Sequence, residues 1–334
     1  MDKYITLAHG AGGKISQELM EQVVLPAFGN PILNELHDGA RLALSGRIAF
    51  TTDSYTVQPL FFAGGNIGKL AVCGTVNDLA MTGAVPRYLS AAMVIEEGFP
   101  IEDLRKIAQT MREMADKAGV SIVTGDTKVV GRGKADGIFI NTAGIGELID
   151  GVGISPKKVR PGMKVLLSGY LGDHAATILA GRHGLDLPEG LRTDCAPLGG
   201  MVQAMLKVAP DIAVLRDPTR GGLAAVLNEI AKASGCGVII DEEALPIRPE
   251  VQGVCDILGF DVLELANEGK CVAFVPAEEA ERALEAMRQN EFGHEARIIG
   301  ETVAEAPGQV ALRTAIGGLR VVDMPLGNLV PRIC

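Results

Sequence analysis

The stretch at residues 67–82, Ile-Gly-Lys-Leu-Ala-Val-Cys-Gly-Thr-Val-Asn-Asp-Leu-Ala-Met-Thr, constrains the fold more than any other part of the chain. It reads as a helix that follows the turn Phe62-Ala-Gly-Gly-Asn66, with Asn66 as its cap. It is apolar on almost every face, so it has to be buried. The chain can build the core this needs: its 334 residues suggest about two or three domains, and 47% of them are hydrophobic. Yet the helix carries Asn77 and Asp78. A buried ionised carboxylate is costly unless it is paired or bound to a cation. Near a helix C-terminus it also meets the unfavourable end of the dipole. Lys69, the basic residue on this helix, is too far along it to pair with Asp78. Asp78 therefore reads as a metal ligand, with a structural salt bridge as the alternative.

Two further aspartates follow strand-like runs. Residues 47–52 read as a strand ending at Asp53-Ser54, where the carboxylate suits a metal ligand and equally a helix cap. Residues 120–124 read as a buried strand ending at Gly125-Asp126-Thr127-Lys128. Hard oxygen ligands such as Asp53, Asp78 and Asp126 suit Mg²⁺, which keeps waters and bridges phosphates. Open α/β sheets bind ligands at the carboxyl ends of their strands. The opening His9-Gly-Ala-Gly-Gly-Lys14 adds Gly10, Gly12 and Gly13, which let the backbone approach an anion, and the charge of Lys14. A flexible lead-in loop accounts for the same residues equally well. The spacing is not that of a P-loop, and no strand precedes it as a dinucleotide fingerprint requires. Together these features point to nucleoside triphosphate chemistry without a P-loop.

The remaining chain alternates helices and strands. Helices are expected over 15–26 and 100–118, and strands over 87–96 and 137–149. The proline-flanked, basic segment 155–162 reads as a boundary. A second α/β unit starts at 164, with helices from Gly172, over 199–208, and from the Asp217-Pro-Thr-Arg-Gly-Gly-Leu223 motif to 233. Its strands are 237–241, 271–275 after Ala266-Asn-Glu-Gly-Lys270, 296–301 and 309–312, and 277–289 is a charged surface helix. Forty-two glycines and 4% aromatic residues fit an α/β protein rich in tight turns. The expected division is a domain over 1–154, a second over 155–322 and a flexible tail over 323–334.

That tail, Met324-Pro-Leu-Gly-Asn-Leu-Val-Pro-Arg-Ile-Cys334, carries two prolines near a terminal thiol. It has no helical or strand period and reads as a mobile arm. A tethered thiol suits the carriage of a covalent group between active sites, whereas most terminal residues carry no function at all. Prenylation boxes place cysteine four residues from the end, so that motif is absent. Cys73, Cys195, Cys236, Cys255 and Cys271 form no C-x-x-C pair and match no zinc spacing, and read as reduced core residues of a cytoplasmic protein. The net charge of −10 comes without a basic block, which argues against nucleic acid. No apolar signal core and no membrane-length apolar run is present.

Thr51-Thr-Asp53, Val76-Asn-Asp78-Leu-Ala-Met, Gly125-Asp126-Thr127-Lys128 and Asp217-Pro-Thr-Arg-Gly-Gly222 resemble the ATP-binding motifs of the aminoimidazole ribonucleotide synthetase superfamily. That superfamily also holds selenophosphate synthetase and thiamine monophosphate kinase. Within it, the opening His9–Lys14 motif, Asn267-Glu268-Gly269 and the Pro331-Arg-Ile-Cys334 ending resemble the HypE family of hydrogenase maturation factors, over nearly the whole chain. The resemblance implies a PurM-like pair of α/β (α+β) domains with mixed sheets, dimerising through the N-terminal sheets. It implies Mg²⁺–ATP held by Asp53, Asp78 and Asp126, with Gly10, Gly12, Gly13, Lys14, Asn77, Asp217 and Arg220 at the nucleotide. It further implies that Cys334 receives a carbamoyl group from the carbamoyltransferase HypF. ATP-driven dehydration then gives a thiocyanate, whose cyano group passes to iron on a HypC–HypD complex. Glu268 matches the family's base and Lys128 a position that orients or polarises the thiocarbamate. Read without the resemblance, Glu268 is a turn residue and Lys128 a surface charge. Two other readings stand beside this one. A selenophosphate-synthetase-like phosphotransferase would carry a reactive cysteine near its N-terminus, and residues 1–20 contain none. A non-catalytic carrier would dock partners through its tail without turning over ATP.

Overall fold

The computed structural model describes residues 3–11, 13–36, 39–186, 189–327 and 332–334. The N-terminal half opens with two short helices, α1 (Lys14–Leu19) and α2 (Leu25–Phe28), joined by a π-helical turn, Met20–Val24. It continues as β1 (Ile48–Tyr55), the two-residue strands β2 (Phe61–Phe62) and β3 (Gly65–Asn66), then α3 (Ile67–Met81), β4 (Ala84–Glu96), α4 (Ile101–Ala118), β5 (Ser121–Val130) and β6 (Ile138–Leu148). β1, β6, β4 and β5 form a four-stranded sheet in that order, with β4–β5 parallel and the other pairs antiparallel.

Helix α3 explains its own composition. One face lies on β1, β6 and β4, another on α4, and a third reaches forward into the second half of the chain. Thirteen of its 15 residues are buried, so no face is free to be polar. Its glycines mark close approaches: a Cβ on Gly68 would stand 2.6 Å from the Ile107 carbonyl oxygen, and one on Gly74 would stand 2.2 Å from the Tyr55 hydroxyl. The Asn66 side chain accepts hydrogen bonds from the Gly68 and Lys69 amides, the cap the sequence indicates.

The second half comprises β7 (Lys164–Leu167), α5 (Asp173–His183), α6 (Gly199–Val208), β8 (Val214–Arg216), α7 (Gly222–Ser234), β9 (Gly237–Asp241), α8 (Pro249–Leu258), β10 (Val272–Val275), α9 (Ala277–Arg288), β11 (Arg297–Val303), β12 (Val310–Arg313) and β13 (Leu319–Val321). These strands make a seven-stranded mixed sheet in the order β13-β12-β9-β11-β7-β10-β8, with β9–β12 parallel. α3 packs on α6 and β8, and one apolar core runs from Ile67 and Leu70 through Leu171 and Val272 to Ile333. Among the described residues no helix is long and apolar enough to cross a membrane.

Two expectations change. β1 runs on to Tyr55 and β5 to Val130, so Asp53 and Asp126 sit within strands, not after them. Gly125 looks like a turn residue in sequence, but it is needed inside the ladder, where a Cβ would lie 2.1 Å from the Ala91 carbonyl oxygen. The expected helix 15–26 is broken by the π-helical turn, with Pro26 in the first turn of α2.

Candidate active site

Alternation along β1 turns Thr51, Asp53 and Tyr55 toward α3, and Ile48, Phe50, Thr52 and Ser54 away from it. Asp78, in the last turn of α3, thereby meets β1: the Thr51 hydroxyl donates to its carboxylate at 2.9 Å. Burial raises Asp78 above the usual carboxylate range, and Asp53 adds to the rise. Asp217, just beyond β8, is pushed up to about 7 by burial, with Asp78 and Asp53 contributing. Asp53, Asp78 and Asp217 thus form one mutually repelling group, with Arg216 the cation beside it. Among the described residues no three acidic, histidine or cysteine side chains converge closely enough to hold a metal unaided.

Glu268 closes the same space from the second domain. Its carboxyl is 3% exposed, and burial together with Asp194, Asp217 and Asp53 holds it far above its ordinary value. Among the described residues its Oε1 has no hydrogen-bond partner. The loop carrying it is fixed on both sides. Asn267 accepts from the Gly172 amide at 2.8 Å and donates to the Pro218 and Leu265 carbonyls. A Cβ on Gly269 would fall 1.9 Å from the Asp194 carbonyl oxygen. Behind it, Asp194 pairs with Lys270 at 3.1 Å and stays low in pKa despite its burial.

Asn77, expected at the nucleotide, is instead a tie between domains. Its Oδ1 accepts from the Leu198 amide at 2.8 Å, and its Nδ2 donates to the Ala196 and Glu268 carbonyls. At 1% exposure and with its amide so engaged, it holds the Glu268 loop and has no free group for a ligand.

Asp126 does not join Asp53 and Asp78 within one copy of the chain. The register aligns Asp126 with Ala92, Ala92 with Asn141 and Asn141 with Ser54, three strand spacings or about 14 Å across the sheet. Asp126 and Lys128 alternate onto the outward face, where they pair at 2.8 Å, both exposed. Lys128 is accordingly remote from Glu268 in the same chain. Beside this strand lies a cavity of about 540 Å³. It is walled by Leu19, Met20, Phe28 and Ile32 on one side and by Met93 and Thr127 on the other, with Asp126 and Lys128 also lining it. Gly10 lies against β5 so tightly that a Cβ would stand 2.8 Å from that of Val129. Gly13 takes a positive φ of 86° at the start of α1, and Lys14 is exposed beside Glu18. Gly12 lies outside the described residues.

The chain end returns to the acidic group. Ile333 is buried, and the Cys334 carbonyl accepts from the Thr56 amide at 3.0 Å. The Cys334 thiol is pushed up to about 12 by burial and by Glu268 and Asp53, against the pull of Arg220. The charges of Arg220 and Glu268 thus both reach the terminal thiol. The expected mobile arm is, at residues 332–334, a seated peptide; 328–331 lie outside the described residues. Sequence reasoning passed over Asp194, Lys270 and His174. The first two sit beside motif residues but have no spacing of their own, and His174 was read only as part of a helix start. Its neighbour Asp173 fills that helix start, pushed up to about 6 by burial and paired with Arg248.

A buried helix and an edge strand here deliver carboxylates to a seam between two α/β domains, and the chain belongs to the AIR synthase related class. The family model of its N-terminal domain matches residues 36–148 and that of its C-terminal domain residues 160–313. Within that class the chain belongs to the HypE family. It is 52% identical over 336 residues to the carbamoyl dehydratase HypE of Rhodobacter capsulatus, covering 100% of this chain and 99% of the relative. It superposes on a crystal structure of the hydrogenase maturation protein HypE in complex with ATP at a TM-score of 0.95, with 47% identity, covering 98% of this chain and 99% of that one. A crystal structure of a HypE–HypF complex matches at 0.81 with 50% identity, over 92% and 99%.

Proposed function

We propose that this chain is an ATP-dependent carbamoyl dehydratase acting on its own C-terminus. The observation that carries the reading is the seated tail, its backbone held by Thr56, Gln58 and His174 and its Cys334 thiol within reach of the charges of Glu268 and Arg220. The substrate is Cys334 bearing a carbamoyl group on sulfur. Its carbonyl oxygen is a poor leaving group. Transfer of the ATP γ-phosphoryl to that oxygen lets it depart as phosphate, and loss of the two N–H protons leaves sulfur bonded to a nitrile. Glu268 is assigned the role of proton acceptor there. Its carboxyl, raised by burial first and then by Asp194, Asp217 and Asp53, would move back toward a working range if a cation neutralised Asp53 and Asp217.

Mg²⁺ fits that acidic group. The donors are hard oxygens, they repel one another in its absence, and among the described residues too few converge to enclose a cation, so waters and phosphate oxygens would have to complete its shell. Bound there it would supply charge stabilisation on the transferring phosphoryl. The 540 Å³ cavity has the size and apolar lining for the nucleoside, and Gly10, Gly13 and Lys14 lead from it. Asp78→Asn keeps the Thr51 contact in shape but removes the charge. We expect Mg²⁺–ATP affinity, measured by calorimetry, to fall by roughly 10- to 100-fold; unchanged affinity removes Asp78 from the metal site.

Cavity and tail sit at opposite edges of one sheet, so a single copy leaves the site divided. A homodimer joined through the outward sheet faces resolves this by bringing Asp126 and Lys128 across to a neighbour's tail. Phe50 and Ile48, 66% and 53% exposed on that face, support the pairing. Phe50→Glu should give a monomer by light scattering and lose dehydration; a wild-type monomer, or a dimer indifferent to this change, refutes the shared site. A docked thiol held at about 12 is a poor nucleophile, so loading by HypF takes place with the tail undocked, and delivery of the cyano group to iron on HypC–HypD does likewise. The deciding experiment is intact-mass spectrometry with the carbamoyl donor and HypF. The chain should gain one carbamoyl mass, then lose one water only when ATP is added. A pure carrier would never show the second step.

A further inference from the structure

We propose that His174, on helix α5, is the residue that positions the C-terminal tripeptide in its groove beside residues 56–58. Along one side the tail pairs like a strand: the Thr56 amide donates to the Cys334 carbonyl at 3.0 Å, and the Gln58 amide to the Arg332 carbonyl at 3.2 Å. Alternate residues on both segments engage with the two chains running in opposite directions, and the donors are the amides of residues 56 and 58. Along the other side His174 Nε2 meets the Ile333 carbonyl at 2.7 Å, and the Arg182 guanidinium donates to the Arg332 carbonyl and to that of Gln58. His174 and Arg182 are eight residues apart on α5, about two turns, and so share a face. The Arg332 side chain clasps the first domain, donating to the Thr56 carbonyl at 2.8 Å and pairing with Asp136. Both domains therefore grip the same three residues.

The tautomer of His174 follows from its partners. A carbonyl can only accept, so Nε2 carries the hydrogen, and Nδ1 accepts from the Thr193 hydroxyl at 2.8 Å. Thr193 is itself fixed, its oxygen accepting from the Cys195 amide at 3.1 Å. Phe62 packs edge-on against the imidazole, with ring centres 5.7 Å apart. The ring is wholly buried, and burial lowers its pKa, which keeps it neutral. A buried N–H needs an acceptor, and with the tail seated the acceptor is Ile333. Ile333 itself fills an apolar slot beside Phe260 and Leu265. These backbone contacts do not involve the sulfur, so the groove recognises the tail's main chain and delivers whatever Cys334 carries to Glu268. That last consequence rests on the dehydratase reading; the docking itself does not.

The test uses the full-length protein and iodoacetamide, with alkylation of Cys334 followed by intact-mass and peptide-mass spectrometry. His174→Ala should alkylate at Cys334 about tenfold faster than wild type, the effect of one lost hydrogen bond to a buried group. His174→Gln, whose amide can donate to the same carbonyl, should stay near the wild-type rate. Cys73, Cys195, Cys236, Cys255 and Cys271 are all buried and serve as an internal control, because general loosening would expose them as well. Arg182→Gln, at the more accessible end of the grip, should also speed labelling and serves if His174→Ala does not fold. Wild-type rates at Cys334 in both variants, or equal acceleration at all six cysteines, overturn the proposal. Failure of ATP to remove water from the carbamoylated wild-type chain would instead strike the dehydratase reading and leave these rates untouched.

Discussion

Cys334→Ala is expected to take up no carbamoyl group at all while binding Mg²⁺–ATP with wild-type affinity. The first half follows from access. The five other cysteines are buried in the core, and burial pushes Cys195 and Cys271 far up and Cys255 up to about 11. None presents a thiolate to a partner enzyme, and the thiolate is the reactive form. Only the chain end combines a thiol with a backbone that can leave its groove. The second half follows from the donor set: the proposed metal and nucleotide site is made of hard carboxylate oxygens and the cavity beside β5, and among the described residues no hydrogen bond joins a residue lining that cavity to the tail of the same copy. The substitution also keeps Ile333 and every backbone contact of the docked peptide, so the fold should be indifferent to it. Intact-mass spectrometry after incubation with the donor and HypF reads the first half, and calorimetry the second. A variant that still gains the carbamoyl mass would transfer the acceptor role elsewhere; one that loses nucleotide binding would make the thiol itself part of the nucleotide site.

The legible parts of this chain were those fixed by local chemistry. A helix apolar on all sides had to lie between layers, and α3 does, with its Asn66 cap in place. Helix α6 and strand β9 fall on the expected residues because their apolar runs end at clear breakers. What stayed hidden depends on partners far along the chain. Asn77 and Asp78 are adjacent and look alike in sequence. One is consumed by the Leu198 amide and the Ala196 carbonyl, more than a hundred residues on, while the other turns its carboxyl to the Thr51 hydroxyl near Asp53. Asp126 reads as another acidic strand end, but β5 continues, and strand alternation sends its side chain to the face opposite Asp53. Lys128 shares that fate. His174 gave no signal, since its function lies in a hydrogen bond to a tail residue that local pattern treats as unstructured.

Glu268→Gln should leave carbamoyl loading intact and slow dehydration by about 10²- to 10⁴-fold, the usual worth of a positioned proton acceptor. The same change should raise stability at neutral and alkaline pH, and the two effects together separate a working carboxylate from a structural one. In the folded chain Glu268 is held well above its ordinary value of 4.5 by burial first, then by Asp194, Asp217 and Asp53. Above pH 4.5 the unfolded chain releases this proton while the folded chain retains it. The folded state then binds more protons, and stability falls as pH rises toward the raised value. Asp173, lifted to about 6, and Asp217, lifted to about 7, act in the same direction over pH 4–7. Glutamine has no proton to lose, so denaturant midpoints of the variant should decline less steeply between pH 5 and 8 than those of the wild type. A carboxylate kept for its fold would show the reverse: its removal would lower the midpoint at every pH, and dehydration would fail only in proportion to the protein unfolded. If Glu268→Gln dehydrates its loaded tail at the wild-type rate, the proton acceptor is another group. A carboxyl buried at such a cost, with an oxygen left unpartnered among the described residues, would then have no chemical purpose in the site.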